Sequence, residues 1–318
     1  MTQPALEFVA CADPGGSHRM AYWQWGDPAA SQVVLCLHGL TRQGRDFDVL
    51  AQALLAHSGG GLRVVCPDVV GRGRSDWLAD PMGYQVPQYA ADMVALVAQL
   101  HAAHPIERFD VVGTSMGGLI GMVLAGHAEL PLAAPVHRLV LNDVGPAIEP
   151  AAIARIASYV GQGGRYDNLQ AAADAMWQLS TSFGPHTPEQ WLALSAPMVV
   201  PAGARSADGR TKVDPAATVS GDGAVVLHYD PAIAAPIRAI TPEIAAQAET
   251  ATWALYDGIR VPTLLTRGAE SDLLSAATVR QMGERGPKAR LVEFPGVGHA
   301  PTFVDPRQSA IVVSFLLD

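Results

Sequence analysis

The stretch DVVGTSMGGLIGM, residues 110–122, places a serine between glycines where one apolar run ends and another begins. Val111 and Val112 are β-branched and predict the end of a buried strand, whereas the run from Leu119 predicts a buried helix. A strand that turns directly into a helix must bend sharply at Ser115, and the crowded backbone on either side then requires glycine. The bend would hold the serine hydroxyl out at the start of the helix. The serine is then either a catalytic residue or an incidental residue in a glycine-rich packing turn. Other parts of the sequence are needed to distinguish these two interpretations.

The stretch around Ser115 belongs to a longer alternation of apolar strands and amphipathic helices. Continuous apolar runs such as VVLCL (33–37) are typical of strands buried on both faces, and QYAADMVALVAQLHAAH (88–104) predicts an amphipathic helix. This alternation predicts an α/β fold: a mostly parallel sheet covered by helices on both faces. Between about 147 and 245 no buried strand is evident, and alanine-rich helical stretches prevail. We therefore expect a core formed by residues 1–146 and 246–318 and an inserted helical cap at 147–245.

Composition excludes several classes of function. The chain has 318 residues, of which 49% are hydrophobic, and a formal net charge of −9, which argues against a nucleic-acid or anionic membrane partner. No apolar run approaches the ~20 residues of a membrane span, and the first residues lack the pattern of a signal peptide. The three cysteines have no paired spacing, so we expect them to be reduced in a cytoplasmic protein.

Four loops that follow predicted strands carry residues able to do chemistry, and they hold His38, Ser115, Asp272 and His299. In an open parallel sheet the carboxyl ends of the strands meet at one crevice, so these loops should converge. A serine hydroxyl needs a base to take its proton, and histidine suits that task when a carboxylate orients its ring. The loops supply Ser115, Asp272 and His299 in that order, each just after a buried strand. Asp143, at the end of RLVLND (138–143), is the competing candidate for the acid.

With these motifs in view, the chain resembles the α/β-hydrolase-fold serine hydrolases. The resemblance covers about 20–146 and 245–318 and rests on LHGLT, PDVVGRGRSD, GTSMGG, RGAESD and GHAPTF. It implies that Ser115 is the nucleophile, Asp272 the acid and His299 the base. It also implies an oxyanion hole formed by the backbone N–H groups of Leu40 and Met116.

The substrate-binding residues are harder to identify from the sequence. His38 is interpreted as structural support for the loop that carries Leu40. Arg42 either forms a salt bridge with Asp46 or meets a carboxylate on the substrate. Trp177 and Trp191 in the cap either line the acyl pocket or belong to the core of the cap.

The motifs favour a carboxylic-ester hydrolase that acts on a small or medium ester through an acyl-enzyme intermediate. We expect no cofactor, because the sequence has no phosphate-loop motif and no complete dinucleotide-binding motif. We expect no metal, because it has no His-Glu-x-x-His motif and no paired Cys-x-x-Cys motif. A carbon–carbon bond hydrolase of ring-cleavage products and a lactonase stay open as alternatives, as does a hydrolase-like receptor for a small ligand. The sequence leaves the oligomeric state and the natural substrate undetermined.

Overall fold

The computed structural model describes residues 3–204 and 223–318, and its strands form two sheets. Within these ranges the strands are β1 (Ala5–Asp13), β2 (Gly16–Gly26), β3 (Gln32–Leu37), β4 (Leu62–Pro67), β5 (Arg108–Thr114), β6 (Val136–Asn142), β7 (Arg165–Tyr166), β8 (Val199–Pro201), β9 (Val225–Leu227), β10 (Thr263–Gly268) and β11 (Arg290–Phe294). The helices are α1 (Asp48–Ser58), α2 (Val86–Ala103), α3 (Met116–Gly126), α4 (Pro150–Tyr159), α5 (Leu169–Ser180), α6 (Pro188–Ser195), α7 (Ala234–Arg238), α8 (Pro242–Gly258), α9 (Ala276–Glu284) and α10 (Pro306–Leu317).

The large sheet of the described residues has eight strands in the order β1-β2-β4-β3-β5-β6-β10-β11. The β1–β2 hairpin is antiparallel and β2 pairs antiparallel with β4. From β4 to β11 every neighbouring pair is parallel. The α/β fold with a mostly parallel sheet, predicted from the alternation of strands and helices, is confirmed.

Helices cover both faces of this sheet because its central strands are apolar on both sides. In β3, Val33 and Leu35 pack into one hydrophobic cluster, whereas Val34 and Cys36 pack into the other. The first cluster also contains residues of α2, α3, α8 and α9, and the second contains residues of α1 and α10. All three cysteines are buried and unpaired, and no helix in the described ranges is long and apolar enough to span a membrane.

The segment between β6 and β10 differs in two respects from the helical cap expected at 147–245. It contains the three-stranded sheet β7-β9-β8 as well as helices. Its boundary also differs, because α8 runs through residue 245 and buries Trp253 and Tyr256 in the cluster shared with α3. Helix α8 thus packs as part of the core. The composition of the glycine- and proline-rich patch near 201–223 predicts a loop, and most of the patch lies outside the described residues.

The strand register brings the carboxyl ends of β5, β6 and β10 side by side. Thr114 at the end of β5 lies beside Asn142 of β6, and Asn142 in turn lies beside Thr266 of β10. Asn142 donates to Thr114 Oγ1 at 3.0 Å and accepts from Thr266 Oγ1 at 2.8 Å. The residues that follow these strands consequently leave the sheet at the same edge.

Candidate active site

Ser115 lies at the turn between β5 and α3 in a strained backbone conformation. Its φ is 53° and its ψ is −119°, a combination that a non-glycine residue rarely adopts. A Cβ added to Gly113 would overlap the backbone of Gly117, and one added to Gly117 would overlap the carbonyl oxygen of Leu37. Glycine is therefore required on both sides of the serine, which is the sharp bend that the sequence predicts.

Two hydrogen bonds connect Ser115 to a buried carboxylate through His299. Ser115 Oγ is 3.0 Å from His299 Nε2, and His299 Nδ1 is 2.7 Å from Asp143 Oδ2. With the proton on Nδ1 donated to Asp143, Nε2 is free to accept the serine proton. The three side chains come from the ends of β5, β6 and β11, so the sheet edge holds them in a geometry suited to nucleophilic catalysis.

Asp143 is surrounded by hydrogen-bond donors. It is fully buried and accepts from the backbone N–H of Gly268 at 2.9 Å and from Ser271 Oγ at 2.6 Å, in addition to His299. Three donors around one buried carboxylate compensate for the loss of its hydration. The arrangement fits the acid that orients a catalytic histidine.

The assignment of the acid to Asp272 is corrected by this geometry. Asp272 lies in the expected loop after β10, but its side chain is about half exposed and forms a bidentate ion pair with Arg155 of α4, at 2.8 and 2.9 Å. The loop after β10 still contributes a side chain to the site, because the hydroxyl of Ser271, one residue earlier, donates a hydrogen bond to Asp143. The competing candidate of the sequence, Asp143, is the carboxylate that contacts His299.

The His38-Gly39-Leu40 segment runs directly beside the serine. A Cβ on Gly39 would lie 3.7 Å from Ser115 Cβ, and Leu40 lines the same cleft as Ser115. Met116 is the first residue of α3, where a helix N–H has no preceding turn to accept it. The oxyanion hole formed by the Leu40 and Met116 N–H groups stays a prediction that this arrangement allows.

Two buried residues fix this segment. Burial lowers the pKa of His38 to about 3, so the ring is neutral; it donates from Nδ1 to the Gly39 carbonyl and accepts from the Val69 N–H at Nε2. Arg72, fully buried, donates to the Leu40 carbonyl at 2.8 Å and lies 3.6 Å from Met116 Sδ. The sequence motifs do not identify Arg72 as a support for this segment.

The cleft in front of Ser115 is lined from both the core and the inserted segment. Arg42, on the core side, is bound to Asp46 through two hydrogen bonds of 2.7 Å and also donates to the Leu194 carbonyl. This is the salt bridge that the sequence left open as one of two interpretations. Arg155 lines the cleft from α4. The wall is otherwise largely apolar, with contributions from Leu40, Ile156, Met176, Leu179, Phe183 and Leu227.

Trp177 and Trp191 do not line this cleft, so their assignment as substrate-binding residues is corrected. Their rings meet edge to face with centroids 5.0 Å apart. They belong to a small hydrophobic cluster with Ala173 and Leu194, and Trp191 Nε1 donates to the Ala173 carbonyl. They form the interior of the inserted segment, while Phe183 from the same cluster reaches the cleft.

Potential metal ligands meet away from this cleft. In the described part of the chain, Cys11, His18 and Asp92 are the group of side chains whose ligand atoms lie within 4.8 Å of one another. Both ring nitrogens of His18 already contact carboxylates, at 2.9 Å for Asp13 and 3.1 Å for Asp92. His18, Asp13 and Asp92 therefore form a buried ion-pair cluster in which both ring nitrogens of the histidine have partners.

Comparison with known proteins agrees with this description. Residues 32–306 match the family model described as the alpha/beta hydrolase fold. The chain is 50% identical over 312 residues to a 3-hydroxybutyrate-oligomer hydrolase of Cupriavidus necator, covering 98% of this chain and 97% of that protein. It is 24% identical to a 2-(acetamidomethylene)succinate hydrolase of Mesorhizobium japonicum, with 92% and 90% covered. An alpha/beta hydrolase of Novosphingobium aromaticivorans has a similar solved structure, with 34% identity, 99% of each chain covered and a TM-score of 0.74.

Proposed function

The chain belongs to the α/β-hydrolase-fold family, and on that premise we propose that it is a serine esterase that cleaves short, dissolved oligomers of 3-hydroxybutyrate. The observation that carries the catalytic part is the pair of contacts from Ser115 through His299 to Asp143. The substrate class is supported by the 50% identity to the Cupriavidus necator protein over nearly the whole of both chains.

The reaction follows from the position of each group. His299 takes the proton of Ser115 as Oγ attacks the ester carbonyl, and Asp143 stabilises the imidazolium that forms. The N–H groups of Leu40 and Met116 stabilise the negative charge that develops on the carbonyl oxygen. His299 then protonates the departing secondary alcohol, which is the hydroxyl end of the neighbouring unit. A water molecule activated by His299 releases the acyl group and restores Ser115.

The shape and polarity of the cleft suit this substrate class. Each 3-hydroxybutyrate unit carries one methyl branch and one ester, so a chain of such units is largely apolar between its ends. Side chains such as Ile156, Met176 and Leu227 line the cleft and can contact those methyl groups. Apolar walls with a few placed polar groups are the usual composition of a small-molecule site.

The test uses the linear 3-hydroxybutyrate trimer and a generic aryl ester with the parent protein and Ser115→Ala. We expect the parent to cleave both and the variant to lose at least ~10⁴-fold in turnover, because the covalent step is removed. A serine-directed phosphonate should label only the parent. If the folded parent protein cleaves neither ester, the result would support the receptor interpretation. If the phosphonate labels both proteins equally, a residue other than Ser115 is the nucleophile.

A further inference from the structure

The geometry points to Arg155 as the residue that binds the free carboxylate at the acid end of the oligoester. This inference rests on the proposed function and deepens it. A linear 3-hydroxybutyrate oligomer has a hydroxyl at one end and a carboxylate at the other, with neutral esters between them. A cation in the cleft can therefore recognise one end of the chain. Among the described residues that line the cleft, the permanently charged cations are Arg42 and Arg155.

Arg42 is already committed to a partner inside the protein. Its side chain is 10% exposed and that of Asp46 is 18% exposed, and the two form a bidentate pair. Arg42 also holds the Leu194 carbonyl of α6. Withdrawing Arg42 from this pair to bind a substrate would leave the largely buried Asp46 carboxylate without its counterion, which is strongly unfavourable. Arg42 is thus a structural contact between the core and the inserted segment.

Arg155, unlike Arg42, forms an ion pair that is exposed to solvent. Its side chain is 38% exposed, and its partner Asp272 is 49% exposed. Exposed ion pairs contribute only about 0–1 kcal/mol because water and salt screen them. A substrate carboxylate entering the cleft can take the place of Asp272 at little cost, and the planar guanidinium can bind it through two parallel hydrogen bonds.

The overall charge of the protein disfavours an anionic substrate, so a local cation would aid its binding. The chain carries a formal net charge of −9, so its long-range field repels an anionic substrate. The Asp272 carboxylate, one of the negative charges in that total, lies against Arg155 and competes for the same guanidinium. Arg155 and Asp272 should therefore act on an acid-terminated substrate in opposite directions, Arg155 favouring its binding and Asp272 opposing it.

The experiment compares two trimers that differ only at the acid end: the free acid and its methylamide, which is neutral there and adds no ester. The measured quantity is the ratio of kcat/KM for the acid to kcat/KM for the methylamide. We expect Arg155→Gln to lower this ratio by about tenfold or more, the scale of hydrogen bonds to charged groups, and Asp272→Asn to raise it. A variant that only loosens the inserted segment would lower both rates together and leave the ratio unchanged.

A matched control is Arg285→Gln, which removes the same charge from another exposed bidentate pair, Arg285 with Asp257. Arg285 lies outside the cleft lining, so the ratio should stay at the parent value. A parent that cleaves the trimer acid and its methylamide equally well, with a ratio that neither Arg155→Gln nor Asp272→Asn changes, would overturn this inference alone. A parent that hydrolyses aryl esters but neither trimer would overturn the proposed substrate, and the inference with it.

Discussion

At the scale of single residues, two carboxylates with similar sequence contexts have opposite environments. Asp143 is fully buried with three donors around it, whereas Asp272 is half exposed and paired with a single arginine. A carboxylate that stabilises a transient imidazolium must be fixed and shielded from water, since its effect then is not screened. Asp143 meets these conditions and Asp272 does not.

The acid can be identified by comparing Asp143→Asn with Asp272→Asn. We expect Asp143→Asn to lower turnover of a neutral aryl ester by about 10⁴-fold, because an amide at this position favours the wrong histidine tautomer. The cost of Asp272→Asn should be smaller by at least about 100-fold, since its carboxylate does not contact His299. Steady-state kinetics of both variants, with folding checked by circular dichroism, decide the matter. The reverse ranking would return the role to Asp272.

Local patterns predicted Ser115 and His299, but they could not distinguish between the two acids. Both aspartates follow a buried strand that ends at the same edge of the sheet. Asp143 turns inward because its backbone adopts a φ of 53° and because Ser271 and Gly268 from another strand offer it hydrogen bonds. Those conditions depend on tertiary contacts between β6 and β10, which no stretch of sequence encodes by itself.

At the scale of elements, the β1–β2 hairpin is joined to α2 by a buried charge cluster. His18 of β2 contacts Asp13 of β1 at 2.9 Å and Asp92 of α2 at 3.1 Å, with Cys11 of β1 beside it. Burial by itself would lower the pKa of His18. Hydrogen bonds to Asp92, Cys11 and Asp13 outweigh it and raise the pKa of His18 to about 10. The hairpin is therefore held to the helix by a protonated histidine.

This cluster predicts a pH-dependent contribution to stability. Because the folded-state pKa of His18 lies above the ~6.5 of an unfolded histidine, its contribution is complete below about pH 6.5 and is lost as the pH rises toward 10. The difference in unfolding free energy between the parent and His18→Gln should be on the order of a few kcal/mol at pH 6 and much smaller at pH 10. Urea denaturation at several pH values measures it.

The matched control is His57→Gln, which removes a half-exposed histidine whose contact is with Asp318 at the end of α10. Its effect on unfolding should be small at each pH, as expected for an exposed pair. A loss of stability in His18→Gln that is the same at pH 6 and pH 10 would show that His18 acts by packing rather than by charge.

Elements of the core were easier to predict than those of the inserted segment. The buried strands β3, β4 and β5 have six or seven residues each and include apolar runs such as VVLCL (33–37), long enough to be recognised. The strands β7, β8 and β9 have two or three residues each, too few for any periodicity. Their pairing is stabilised by neighbours distant in sequence, so the sequence predicted helices there and missed the sheet.

At the scale of the whole molecule, the inserted segment is attached to the core around the cleft. Ser182 donates to the His299 carbonyl at 2.8 Å and accepts from the Gly298 N–H at 2.6 Å. On another side, Asp230 pairs with Tyr84 and its N–H donates to the Gly71 carbonyl. Together with the bond from Arg42 to the Leu194 carbonyl, these bonds attach the inserted segment to several loops of the core that border the cleft.

A segment attached in this way determines the physical form of substrate that the enzyme can use. We expect a dissolved oligomer to enter the cleft end first, whereas a chain packed in a solid polymer or an oil droplet would reach Ser115 only if those contacts broke. We therefore expect kcat/KM for aryl esters, in a series from acetate to palmitate, to be highest at roughly two to six acyl carbons. Each further methylene adds only ~1–3 kcal/mol of binding until the pocket is full. Soluble 3-hydroxybutyrate trimer should be cleaved much faster than an equal mass of amorphous polymer. A rate that rises with acyl length and jumps where the ester exceeds its solubility would mean that the inserted segment moves away from Ser115 at an interface, and would contradict a fixed attachment of that segment.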